Sequence, residues 1–277
     1  MTTAARRKAL ICKLLKGIET GDPAAVAVVD QANYIQHNPQ TAEGSQGLAE
    51  LFARISKSNP RVNIVRVFAD GDFVFGHTEY DFSARRIGFE VFRFEGDRAV
   101  EHWDNIQPRR GPNAAGRSMV SGPTDATDLH RTEANRALVR DFVEQVLVGA
   151  DLDRLAEFMA DDLIQHNPAL VDGRDAVAAA LQQTHQGRPV IEYTQLHRVL
   201  AEGSFVLAVS EGRRRGAPAA LYDLFRVEGG VLVEHWDTVE EIAPRSEWKN
   251  DNGKSEPLRV LQSSSSSGVS MWAHATG

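Results

Sequence analysis

The chain is 277 residues long, enough for roughly two domains at ~150 residues each. Apolar residues make up 42% and charged residues 25%, a globular composition that excludes wholesale disorder. A net charge of −7 argues against nucleic acid as a partner, and the single Cys12 excludes an internal disulfide or a multi-thiolate metal site. A reducing, cytoplasmic setting is the simplest expectation.

The first predicted element is a helix over 4–20, with Leu10, Ile11, Leu14, Leu15 and Ile18 at helical spacing. Arg6, Arg7 and Lys8 imitate the start of a signal peptide, but Lys13, Lys16 and Glu19 break the apolar run behind them, and no run is long enough to span a membrane. An acidic turn, Gly21-Asp22-Pro23, and a short second helix lead to Gln36-His37-Asn38-Pro39, where proline disfavours helix at the preceding residue. A third helix over 45–57 precedes strands at 61–69, 73–81, 87–94 and 98–107, punctuated by Asp70-Gly71 and Glu95-Gly96. Residues 109–130, rich in Gly, Pro, Ala and Ser, read as a flexible linker.

The same succession then returns. A helix over 131–148, a turn at Gly149-Ala150-Asp151 and a short helix lead to Gln165-His166-Asn167-Pro168. A helix over 173–186 and strands at 189–200, 204–212, 218–227 and 231–240 follow, with turns at Glu202-Gly203 and Gly229-Gly230. Glu101-His102-Trp103-Asp104 recurs as Glu234-His235-Trp236-Asp237. Two tetrapeptides repeated in one order at nearly one spacing indicate an internal duplication. We therefore divide the chain into a first copy (1–108), the linker (109–130), a second copy (131–255) and a flexible tail (256–277) that contains the run Ser263 to Ser267 as well as Met271 and Trp272. Helices followed by consecutive hairpins predict an α+β domain with helices on one face of an antiparallel sheet.

Strand alternation places charge on apolar faces. His235 and Asp237 share a face with Val231, Val233 and Val239, and Asp223 shares one with Leu221 and Phe225. His102 and Asp104 share a face with Val100 and Ile106, and Glu90 shares one with Phe92 and Phe94. Three-residue turns, at 228–230 and 95–97, would pair Asp223 with His235 and Glu90 with His102; a longer turn would oppose Asp223 to Asp237 instead. A carboxylate among apolar side chains is harder to ionise, so such a pair suits general acid–base chemistry, although a buried ion pair that only fixes the register has the same signature. His37 and His166 either line a pocket mouth or hydrogen-bond backbone. His77, beside Phe73 and Phe75, is a candidate third polar group of the first cavity, with Val209 as its counterpart. Trp103 and Trp236 fall on the opposite face and read as packing. No H-x-H or H-E-x-x-H spacing supports a metal site built from His37, His102 and Asp104, and we expect neither metal nor cofactor. The run Arg213-Arg214-Arg215 reads as a solvated strand end.

Tyr34-Ile35-Gln36-His37-Asn38-Pro39, His77, Phe92-Arg93-Phe94 and Glu101-His102-Trp103-Asp104 resemble the SnoaL-like polyketide cyclases of the nuclear transport factor 2-like (cystatin-like) superfamily. The second copy matches from Leu163 through Asp223-Leu224-Phe225-Arg226 to Glu234-His235-Trp236-Asp237, with Trp248 to Gly253 like the family's C-terminal segment. The resemblance implies two tandem cones, each three helices in a curved antiparallel sheet, forming an internal pseudo-dimer through the sheet faces that carry Trp103 and Trp236. It implies cofactor-free chemistry by an acidic residue and a histidine. The family's acidic position falls on Asp223 and Glu90, and its strand histidine on His77. The candidate catalytic residues are therefore Asp223, His235, Glu90, His102 and His77, with His37, Asp104, His166 and Asp237 in support. The leading reading is an enzyme of secondary metabolism that cyclises, isomerises or dehydrates a carbonyl-containing or polyketide-like molecule. A non-catalytic module that binds an apolar small molecule is the alternative. Membrane and nucleic acid are not expected partners; further pairing of the chain is open.

Overall fold

A computed structural model describes residues 2–255; the tail placed at 256–277 lies outside the described residues. The first copy contains α1 (Thr3–Thr20), β1 (Ile35–Gln36), α2 (Gly44–Ile55), β2 (Arg61–Asp70), β3 (Phe73–Asp81), β4 (Arg85–Glu95) and β5 (Arg98–Pro108). The second contains α3 (Thr132–Phe142), α4 (Leu155–Phe158), β6 (Met159–Gln165), α5 (Arg174–Leu181), a small hairpin of β7 (Thr184–His185) and β8 (Arg188–Pro189), then β9 (Ile191–Glu202), β10 (Phe205–Arg214), β11 (Ala217–Glu228) and β12 (Val231–Glu241). The two five-stranded sheets have the same order, β1-β5-β4-β3-β2 and β6-β12-β11-β10-β9.

The Thr2 hydroxyl caps α1 by accepting from Ala5 N–H. The helix stops at Gly21, whose φ of 68° is left-handed and whose N–H returns to the Gly17 carbonyl. Its predicted apolar stripe lies against the sheet, with Ile11, Leu14, Leu15 and Ile18 buried beside Val74, Phe92 and Phe94. In the second copy Val139, Phe142, Val143 and Val146 do the same against Val206, Ala208 and Phe225. The helix predicted over 131–148 is α-helical only to Phe142 and continues as a π-helix over 143–148.

The outer faces of the two sheets pack on each other. Phe68, Phe75, Phe89, Val91 and Trp103 of the first copy form one buried cluster with Leu200, Phe205, Leu207, Tyr222, Leu224 and Trp236 of the second. The contacts are reciprocal. Trp103 stacks on His37 of its own copy and lies under Arg198 of the other; Trp236 stacks on His166 and lies under Arg66. Asp70 of the first copy pairs with Arg136 of the second, and Glu202 of the second with Lys8 of the first. Such exchange is the signature of a two-fold interface, here within one chain.

Two segments that follow the sheets are exchanged as well. Of residues 109–130, expected as a flexible linker, the stretch through Asn113, Ser118 and Ser121 is pinned to the second copy. Asn113 Nδ2 donates to the Gln165 carbonyl, the Ser118 carbonyl accepts from His166 Nδ1, and the Ser121 carbonyl accepts from Trp236 Nε1. Gly122 passes over Trp236 at a φ of 106°, so closely that a Cβ would sit 2.6 Å from Glu234 Oε1. Residues 249–255 return to the first copy. Asn250 Nδ2 donates to the Asn38 and Thr41 carbonyls, Asn252 Nδ2 to the Gln36 carbonyl, and the Gly253 carbonyl meets His37 Nδ1.

Candidate active site

The β11–β12 turn is tighter than expected. Gly229 and Gly230 both have positive φ, the requirement of a two-residue type I′ turn, and Glu228 faces Val231. A bulge then inserts Val233, so that Arg226 faces Glu234 and Asp223 faces Asp237. In the first copy Glu95 faces Arg98, Val100 is the extra residue, and Glu90 faces Asp104. The expected pairing of Asp223 with His235 and of Glu90 with His102 across the strands is thus corrected by two residues. The side chains meet nevertheless, on the diagonal: His235 Nε2 lies 2.9 Å from Asp223 Oδ1, and His102 Nε2 lies 2.7 Å from Glu90 Oε2.

Both pairs face the inside of their cones. In the second, Phe225 stacks on His235, the Gln165 amide lies 3.0 Å from Nδ1, and Tyr193 donates to both Asp223 oxygens. Asp237 Oδ2 accepts from Asn167 Nδ2, while Asp237 Oδ1 is buried without a partner among the described residues. Burial pushes the Asp237 carboxyl above its usual range; His235 opposes this and the Asp223 charge reinforces it. Burial alone would lower His235, but the hydrogen bond and charge of Asp223 outweigh it and raise the imidazole. These groups line a cavity of about 350 Å³ whose walls include Phe142, Leu147, Val177 and Phe225, within the range of small-molecule sites.

The first cone repeats the scaffold and adds a buried cation to it. His102 Nδ1 meets Gln36 Oε1, Tyr80 donates to Glu90 Oε1, and Asp104 Oδ2 accepts from Asn38 Nδ2. The remaining Asp104 oxygen is taken by Lys254, only 3% exposed, whose Nζ donates to it at 2.9 Å and to Glu240 at 2.8 Å. Burial raises Glu90. Burial would raise Asp104 too, but the charges of Lys254 and His102 hold it below its usual range. Glu90, His102 and Asp104 bring ligand atoms within 4.8 Å of one another, a spacing a cation would suit, and the Lys254 ammonium supplies the positive charge at Asp104. His37, which the disfavoured metal reading would have added, is not with them.

His77 is corrected, and of the two alternatives for His37 and His166 the structure has backbone hydrogen bonding, their Nδ1 atoms meeting the Gly253 and Ser118 carbonyls. His77 lies on the outer face of β3, stacked on Phe89 with its Nδ1 on Arg66 Nη1, away from the first cavity. Burial and the neighbouring Arg66 hold its pKa well below the usual imidazole range. His37 and His166 do not line a pocket mouth. They stack on Trp103 and Trp236 and bond Glu101 and Glu234, each carboxylate also held by Arg93 or Arg226. The neighbouring glutamines, Gln36 and Gln165, turn inward and meet Nδ1 of His102 and His235. Tyr193 and Lys254 were missed. Lys254 carried no signal, since its partner Asp104 lies in the other copy.

The SnoaL-like domain family matches residues 13–130 and again 139–235, and the chain belongs to that family. No curated protein matches the chain. Among solved structures, TsrD from Streptomyces laurentii is 16% identical with a TM-score of 0.35, covering 39% of this chain and 92% of its own. An LEH-like epoxide hydrolase of M. tuberculosis is 22% identical with a TM-score of 0.33, covering 40% and 85%. A nuclear transport factor 2-like protein of unknown function from Mesorhizobium loti is 21% identical with a TM-score of 0.34, covering 43% and 97%.

Proposed function

We propose that the chain is a cofactor-free enzyme that moves protons on a carbonyl-containing small molecule, and that the second cone is its working cavity. The observation that carries this reading is the unpartnered Asp237 Oδ1 in the open second cone, beside Asp223 and His235. Its equivalent in the first cone is neutralised by Lys254. The Asp223 carboxylate takes a proton from the carbon next to the carbonyl. Asp237, whose protonated form is favoured by burial, donates in that form a hydrogen bond from Oδ1 to the carbonyl oxygen as it gains charge. Asp223 then returns the proton to another carbon or to oxygen, giving isomerisation, cyclisation or dehydration according to the substrate. His235 positions Asp223 and balances its charge.

The test is deuterium uptake from heavy water into the α-position of a panel of β-diketones, followed by proton NMR. The protein should accelerate exchange, Asp223→Asn should lower the rate about 10²–10⁴-fold, and Glu90→Gln should leave it unchanged. Undiminished exchange in Asp223→Asn would refute the acid–base role. A binding-only module is the second reading, because Tyr193 and His235 together satisfy Asp223 without a ligand. Saturable binding of the diketones with no acceleration of exchange would favour it.

A further inference from the structure

We propose that the second cone selects amphipathic molecules bearing an anionic group, which Arg110 and Arg215 hold at its mouth. The inference rests on the reading of the second cone as the working cavity, and adds the chemical class of its ligand.

The cavity is polar at both ends and apolar between. At the inner end are Asp223, His235 and Asp237, and in the middle are Phe142, Val177 and Phe225. At the outer end are Arg110, from the exchanged segment, and Arg214 and Arg215, from the β10–β11 turn. Arg214 faces Ala217, six residues along β11 from Asp223 and so about 20 Å of strand away. Long arginine side chains shorten that reach, leaving room for one small molecule lying lengthwise.

What sets these arginines apart is that they line the cavity while lacking a close carboxylate partner, which exposed arginines elsewhere such as Arg54 and Arg140 also lack. Arg93, Arg136, Arg174 and Arg226 are each held by a carboxylate. Among the described residues Arg110 and Arg215 form no such pair, and Arg214 has only Glu241 at 3.8 Å. Arg215 is nevertheless fixed in place: its backbone, at a φ of 49°, donates to the Val190 carbonyl. Two unpaired guanidiniums beside an apolar channel favour a carboxylate or phosphate at that end. The acidic inner end repels the same group, so the ligand is oriented with its uncharged, hydrogen-bonding end towards Asp237 Oδ1 and its anion outwards.

The test is isothermal titration of the full chain with 6-phenylhexanoate and its uncharged analogue 6-phenylhexanamide at low salt. The carboxylate should bind about tenfold tighter, and the preference should shrink as salt rises. The double variant Arg110→Gln/Arg215→Gln should bring the carboxylate down to the level of the amide. Equal binding of the two probes, no binding of either, or a preference that survives the double variant would each overturn the proposal. Val177→Trp, which fills the middle of the cavity, separates the two levels of the argument. Unchanged binding of both probes to that variant would remove the second cone as the site. Lost binding there, with charge preference intact in the arginine variant, would refute only the role of the arginines.

Discussion

Two aspartates in the second cone face each other across a strand pair, and their environments pull them apart. Asp223 is held by a tyrosine and an imidazole, while Asp237 keeps one oxygen bare and is pushed up by burial. If Asp237 acts as the neutral hydrogen-bond donor, activity falls as pH rises through its raised pKa. Asp237→Asn should lower the rate and flatten that basic limb of the kcat/KM profile; an unchanged limb would assign it to another group. The raised His235 has a second consequence. A folded-state pKa above the unfolded value of about 6.5 means its ion pair stabilises the fold below that pH and is lost as pH rises through the folded value. Replacing His235 by Gln should therefore flatten the decline of denaturant stability with pH above about 6.5. At this scale the sequence was informative about which residues are polar on an apolar face, since alternation alone marks Asp223, His235 and Asp237. It could not say which way His37 or His166 turn, because both lie at strand ends where the alternation stops.

At the scale of elements, the eight long strands follow from alternation and turn residues. The short edge strands β1 and β6 do not, because each gains its pairing only by lying parallel to the distant β5 or β12. The helix predicted over 173–186 ends at Leu181, and a hairpin turning at Gln186-Gly187, both at positive φ, replaces its last turn. The register was misjudged for a similar reason: a bulge leaves no mark in the alternation of two apolar faces. Among the elements the segment 249–255 has the clearest energetic role. Lys254→Met would leave the buried Asp104 and the half-buried Glu240 without their cation, and breaking a buried pair costs about 3–5 kcal/mol. Denaturant unfolding should show that loss, and adding Asp104→Asn should recover part of it. A variant as stable as the parent would show that the pair is solvated.

For the whole molecule, the duplication makes one polypeptide do what two copies of a cone would do by association. The repeats alone disclose the two units, and the resemblance to the family implies that they pack through the faces that carry Trp103 and Trp236. The neutralisation of Asp104 by Lys254 was not legible, since it depends on a segment that crosses between copies. Trp236 is the deepest test of the interface, for it touches Phe205, His166 and Arg66 at once. Trp236→Ala should cost about 3–5 kcal/mol and, by loosening Arg66 and the segment through Ser121, should broaden unfolding into two transitions. A single sharp transition at the parental midpoint would argue that each half is stable without the other.

The exchanged segments also impose an order in time. Lys254 lies 150 residues beyond Asp104, and a ribosome adding about 5–20 residues per second needs about 8–30 s to bridge that distance. The half of the protein that is made first is thus the last to be sealed. Until residues 249–255 emerge, its buried Asp104 waits for a cation. A chain halted between the two copies therefore carries an uncompensated buried carboxylate.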